Sequence, residues 1–139
     1  MTLLFGLATA LAQAHLNLII PVSIEQTKAI ELGDIYNFTH GICELTANGR
    51  QGNACSESNT SLGKLLVRGE ENQRIQITVK ATSNGAVAFT PILPNGKQTL
   101  SLSLSDVPTE LYIGGELIVE TPSSLGGMSL DYVIEVNYQ

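Results

Sequence analysis

The chain has 139 residues, room for one domain, and its 43% hydrophobic content can build a core, which excludes a disordered chain. Charged residues are only 14%, which excludes a coiled coil. The net charge is −6, and the cations Lys28, Arg50, Lys64, Arg68, Arg74, Lys80 and Lys97 are scattered, so neither nucleic acid nor an anionic membrane finds a basic face.

Met1 to Ala14 carries no charge and is too short to span a bilayer. It ends in Ala12-Gln13-Ala14, a small-x-small tripeptide of the kind signal peptidase cuts after. Residues 1–14 therefore read as the C-terminal part of a signal peptide, the missing basic region being expected upstream of the numbered start. The competing reading is a buried first strand or helix. Next, Leu16, Leu18, Ile20, Val22 and Ile24 alternate with Asn17, Ile19, Pro21 and Ser23, the period of a strand. Pro21 has no N–H and removes one ladder bond from it. Ile30 and Leu32 continue the pattern until Gly33-Asp34 breaks it.

Ile42–Thr46 is a predicted short strand. Cys43 and Cys55 flank the turn signals Asn48-Gly49 and Gly52-Asn53, and a strand–turn–strand path brings them together. In an exported chain the simplest outcome is one disulfide, worth about 3 kcal/mol for a loop of this size. A free reactive thiol is the alternative, although no basic residue adjoins either sulfur. Further strands are predicted at Ser61–Arg68, Arg74–Lys80 and Ala86–Leu93. Pro94-Asn95-Gly96 follows as a hairpin-type turn. Thr99–Ser105 places Leu100, Leu102 and Leu104 inward. Leu111–Val119 is interrupted by Gly114-Gly115, read as a bulge or turn. Ser129–Tyr138 closes the chain, with Leu130, Tyr132, Ile134, Val136 and Tyr138 on one face.

No window after Ala14 has a helical period, and turn signals recur every 8 to 12 residues or so, the pattern of an antiparallel β-sandwich. Both terminal strands are apolar, and such strands are edge hazards that ask for a partner strand.

A catalytic constellation is not found. His15 and His40 are isolated, and His40 sits in a turn. HExxH, GxSxG and Walker patterns are absent, as are an EF-hand loop and zinc-ligand spacing. Glu70-Glu71 reads as a solvated turn, and Glu116 and Glu120 as the wet face of a strand. The expectation is a non-enzyme with no cofactor and no metal. Asn37-Phe38-Thr39 and Asn59-Thr60-Ser61 match the N-glycosylation sequon.

The C-terminal segment Gly126-Gly127-Met128-Ser129-Leu130-Asp131-Tyr132-Val133-Ile134-Glu135-Val136-Asn137-Tyr138-Gln139 resembles that of chaperone–usher pilus subunits. Tyr138 matches the penultimate aromatic. Val136, Ile134 and Tyr132 match the apolar positions four, six and eight from the end, and Gly126 the glycine fourteen from the end. Small secreted domains of unassigned function share the outline, including Leu32-Gly33-Asp34-Ile35. The resemblance implies an immunoglobulin-like sandwich that lacks its last strand. A periplasmic chaperone supplies that strand temporarily, and the next subunit's N-terminal extension replaces it. An outer-membrane usher exports the polymer.

The matching donor positions are Leu16, Leu18, Ile20, Val22 and Ile24, so the implied division is 15–26 as donor strand and 27–139 as one sandwich. Strand addition takes its affinity from backbone hydrogen bonds and its specificity from alternate side chains in pockets. The implied product is a head-to-tail fibre of this chain or related subunits, outside the cell, serving adhesion or biofilm, without membrane insertion. A self-contained secreted sandwich that binds a ligand such as a glycan is the alternative. The absence of Trp and a 5% aromatic content count modestly against it.

Overall fold

The computed structural model describes residues 6–123 and 126–139; among them are ten strands and no helix. The strands are β1 (Ser23–Lys28), β2 (Ile42–Thr46), β3 (Gly49–Gln51), β4 (Gly63–Arg68), β5 (Arg74–Lys80), β6 (Thr82–Ser83), β7 (Val87–Ile92), β8 (Thr99–Ser103), β9 (Thr109–Val119) and β10 (Val133–Tyr138). All pairings are antiparallel. The larger sheet runs β1-β4-β9-β2-β3, with β7 also on β9 and β6 on β7; the smaller runs β10-β5-β8.

Period-two alternation explains how the sheets meet. Ile75, Ile77 and Val79 of β5 turn one way and are buried, while Arg74, Gln76 and Lys80 stay exposed. They pack against Leu65 and Val67 of β4 and Ile113 of β9, with Leu93 and Leu104 completing the cluster. Each such burial stabilises by about 1.5–3 kcal/mol. A second cluster, Val87 and Phe89 of β7 with Leu117 and Val119 of β9, lies farther along the larger sheet.

The first expected strand differs from the observed one. Residues 6–22 form no strand, and β1 starts only at Ser23. The register explains this. Ser23 pairs with Arg68, the last residue of β4, and a turn follows at Gly69–Asn72, so upstream residues have no ladder to join. Pro21, lacking an N–H, makes the same break from the other side.

Two further expectations are corrected. Gly114-Gly115 interrupts nothing: β9 runs unbroken for 11 residues. A Cβ on Gly114 would overlap the Leu45 carbonyl oxygen, and one on Gly115 the Phe89 ring, so both positions serve close packing. Pro94-Asn95-Gly96 is a turn, with Gly96 at φ 80° and its N–H donating to the Leu93 carbonyl at 2.8 Å. It is not a hairpin, because β7 and β8 belong to different sheets and the turn carries the chain across the sandwich.

Cys43, buried in β2, and Cys55 form a disulfide with a Cα–Cα separation of 5.0 Å. The loop it closes holds the chain before β2. Ile35 bridges Cys55, the Tyr36 N–H donates to the Ala54 carbonyl at 2.7 Å, and the Ser56 N–H donates to the Asp34 carbonyl at 3.2 Å. The Arg50 guanidinium adds bonds to the Asp34 and Ser56 carbonyls.

Candidate interaction surface

Three features converge along one side of the sandwich: an exposed apolar tail, an open sheet edge and a groove. The tail is the stretch before β1. Leu16, Leu18, Ile19 and Ile20 are 72%, 91%, 61% and 56% exposed. Val22 and Ile24 differ, being half-buried against the main core cluster. The five donor positions expected from the resemblance are therefore divided, with three in the tail and two packed on their own domain. Of the expected signal segment 1–14, residues 1–5 lie outside the described residues; 6–14 are exposed and form no strand.

The open edge is β10, whose one ladder partner among the described residues is β5. The Gln139 N–H donates to the Arg74 carbonyl at 2.9 Å. Backbone groups alternate sides along an antiparallel strand, so those of Val133, Glu135 and Asn137 also face β5. Those of Ile134, Val136 and Tyr138 face the free edge. The same three side chains are half-buried against the core. Of the residues expected as the C-terminal motif, Ile134, Val136 and Tyr138 thus share one strand, Tyr132 immediately precedes it, and Gly126 lies in the loop before at φ 133°.

The groove has a volume of about 890 Å³ and continues from the start of β10. One wall is the segment from Ala29 to Asn37, the other runs from Gly126 to Tyr132, and the floor is Val87, Phe89, Leu117 and Val119. Tyr132 joins groove to edge. Its ring lies 5.9 Å from that of Phe89 at 58°, and its hydroxyl donates to the Gln26 side-chain oxygen on β1. Burial pushes the Tyr132 hydroxyl up to about pKa 12.

At the other end of β10, the Tyr138 hydroxyl accepts from the Glu70 N–H at 2.7 Å and donates to the Ile20 carbonyl. The Ile20 N–H donates to the Glu70 carboxylate at 2.8 Å. Outside the sandwich, Lys80 and Glu135 pair at 2.9 Å across β5 and β10, an exposed contact worth about 0–1 kcal/mol.

Sequence reasoning missed Glu70, Gln26 and the floor residue Phe89 as parts of this surface. Glu70 had one legible signal, its place after Gly69 in a turn. Gln26 and Phe89 had none, since their roles depend on which strands become neighbours. His15 and His40 are exposed. Among the described residues, no group of three His, Cys, Asp or Glu is placed to hold a metal ion. No described helix is long and apolar enough to cross a membrane.

Comparison of the chain with protein-family models, with curated proteins and with solved structures finds no match in any of the three.

Proposed function

We propose that this chain is a structural subunit of a cell-surface fibre, built by adding one copy's N-terminal tail as a strand to the next copy's sandwich. The observation that carries this reading is the separation of the two parts. The tail leaves the domain beside Tyr138, whereas the groove opens beside Tyr132, at the other end of the six-residue β10. At about 3.3 Å per residue the two ends lie about 20 Å apart. A molecule with its apolar tail at one end and its apolar groove toward the other makes a heterologous contact that does not close, and such contacts build filaments.

The fold in this reading is the immunoglobulin-like sandwich completed by a neighbour's strand. The backbone groups of Ile134, Val136 and Tyr138 receive the incoming ladder. Alternate side chains of the tail enter between the sheets, where apolar burial holds them. The chain has no catalytic role, cofactor or metal here. Its partners are copies of itself or related subunits, with a periplasmic chaperone and an outer-membrane usher as the resemblance implies. It is exported and works outside the cell.

An unheated SDS gel of material sheared from the native cell surface, blotted for this chain, tests the reading. A ladder of subunit multiples that collapses on boiling is expected. A single monomer band before boiling would overturn it. That band would move a second reading ahead, a self-contained glycan-binding module. What favours that reading is a second cavity of about 620 Å³ lined by Glu44, Gln51, Asn95, Glu110 and the exposed Tyr112.

A further inference from the structure

We infer that Glu70 and Tyr138 are positioning residues. They clasp the peptide of Ile20 and mark where the chain stops belonging to its own sandwich and becomes free to enter a second copy. The clasp is a closed circuit. The Glu70 N–H donates to the Tyr138 hydroxyl, that hydroxyl donates to the Ile20 carbonyl, and the Ile20 N–H returns to the Glu70 carboxylate. Both backbone groups of Ile20 are thereby satisfied, although Ile20 lies three residues before the first ladder pair, Ser23 with Arg68.

Three features of the sequence build it. Pro21 restricts Ile20 to extended backbone, so fixing it costs little entropy. Gly69 makes room for the tyrosine, since a Cβ there would lie 2.7 Å from the hydroxyl and 2.6 Å from Leu104. The carboxylate makes the bond to the Ile20 N–H charge-assisted, the stronger kind. Downstream of the clasp, Val22 and Ile24 already pack on their own core. Upstream, Leu16 and Leu18 are exposed. The segment available to a neighbour therefore ends before Ile20, and Leu16, Leu18 and Ile19 are the exposed apolar side chains next to that boundary. This boundary matters to assembly only under the fibre reading, but the clasp is tested without any fibre.

The experiment is residue-resolved amide hydrogen exchange on the full chain as monomer, compared with E70A, E70Q and Y138F. In the wild type, Ile20 is expected to exchange about tenfold or more slowly than Leu18, the protection due a charge-assisted bond. E70A should abolish that protection and leave the Glu70-position amide protected. E70Q, whose carboxamide oxygen still accepts, should restore most of it. Y138F should instead expose the amide of Glu70. This crossed pattern is not produced by general destabilisation, which would raise exchange across β5 and β10 together. Ile20 exchanging as fast as Leu18 in the wild type, or E70A and Y138F acting alike across the sheet, would overturn the clasp. In assembled material the Leu16 and Leu18 amides should gain protection while Ile20 stays as in the monomer. Further protection gained at Ile20 would overturn the boundary, whereas failure to assemble with the clasp intact would count against the fibre reading alone.

Discussion

The two apolar clusters of the sandwich are closed in different ways. The first has a sheet on each side: β4 and β9 face β5, and Leu65, Val67, Ile75, Ile77 and Ile113 have no exposure. The second has strands on one side only. Val87, Phe89, Leu117 and Val119 are covered by single half-buried residues, Ile30, Leu32, Ile35, Leu130 and Tyr132, and the groove runs between those covers. Both clusters obey the same alternation, so the difference is not in the floor. It lies in the smaller sheet, whose three strands are too few to roof the whole of the larger one. An apolar floor under an incomplete roof is where an added strand gains most from burial.

Substitutions test that contrast in descending order. Ile77→Ala, in the closed cluster, is expected to destabilise by about 2–5 kcal/mol in urea unfolding, because a cavity there cannot collapse. Leu32→Ala at the groove wall should cost clearly less; equal losses would mean that the second cluster is closed as well. Removing the disulfide by Cys43→Ser with Cys55→Ser should cost about 3 kcal/mol by the same measurement. Gly115→Ala should cost about 1–3 kcal/mol, because its methyl group drives the Phe89 ring off the floor.

Tyr132 supplies a pH test of the roof. Its folded pKa is raised to about 12 from 10.0 by burial. The raised value means that the neutral phenol is the form the fold accepts. Its stabilisation is therefore fully present below pH 10 and lost as pH rises through about 12. Stability measured from pH 9 to 12 should fall in the wild type and fall less in Tyr132→Phe; identical profiles would remove Tyr132 from the roof. The smallest effect on stability belongs to Leu18→Asp, expected within about 0.5 kcal/mol of wild type, because the residue is exposed. The same change should abolish the boil-sensitive ladder, and an unchanged ladder would remove Leu18 from the interface.

The sheets were legible in the sequence wherever alternation was strict. Ile42–Thr46 and Arg74–Lys80 are strands from end to end as read, and Leu100, Leu102 and Leu104 face inward. Turn chemistry around the cysteines pointed correctly to their bridge. The misreadings share one cause, that period says which face a residue takes but not which strand lies beside it. Leu16 to Val22 alternate as well as any strand, yet β4 ends before they can pair. Gly114-Gly115 look like a break until Leu45 and Phe89 are seen to press against them. The C-terminal alternation located β10, but not that Ile134, Val136 and Tyr138 direct their backbone groups away from β5, to a side where no described strand pairs with them. That property depends on the register with β5, which composition does not encode.

The loop closed by Cys43 and Cys55 does more than add stability. Through Cys55, Ala54 and Ser56 it fastens Asp34, Ile35 and Tyr36, the stretch at the end of the groove wall. Oxidation therefore fastens one end of the groove wall, and if the groove receives a tail as proposed, a chain still reduced would carry its own tail before it had a finished place to receive one. On the fibre proposal, sulfur chemistry thus sets a clock: copies meeting in a reducing compartment would be mismatched partners, competent for one another only once the bridge had formed.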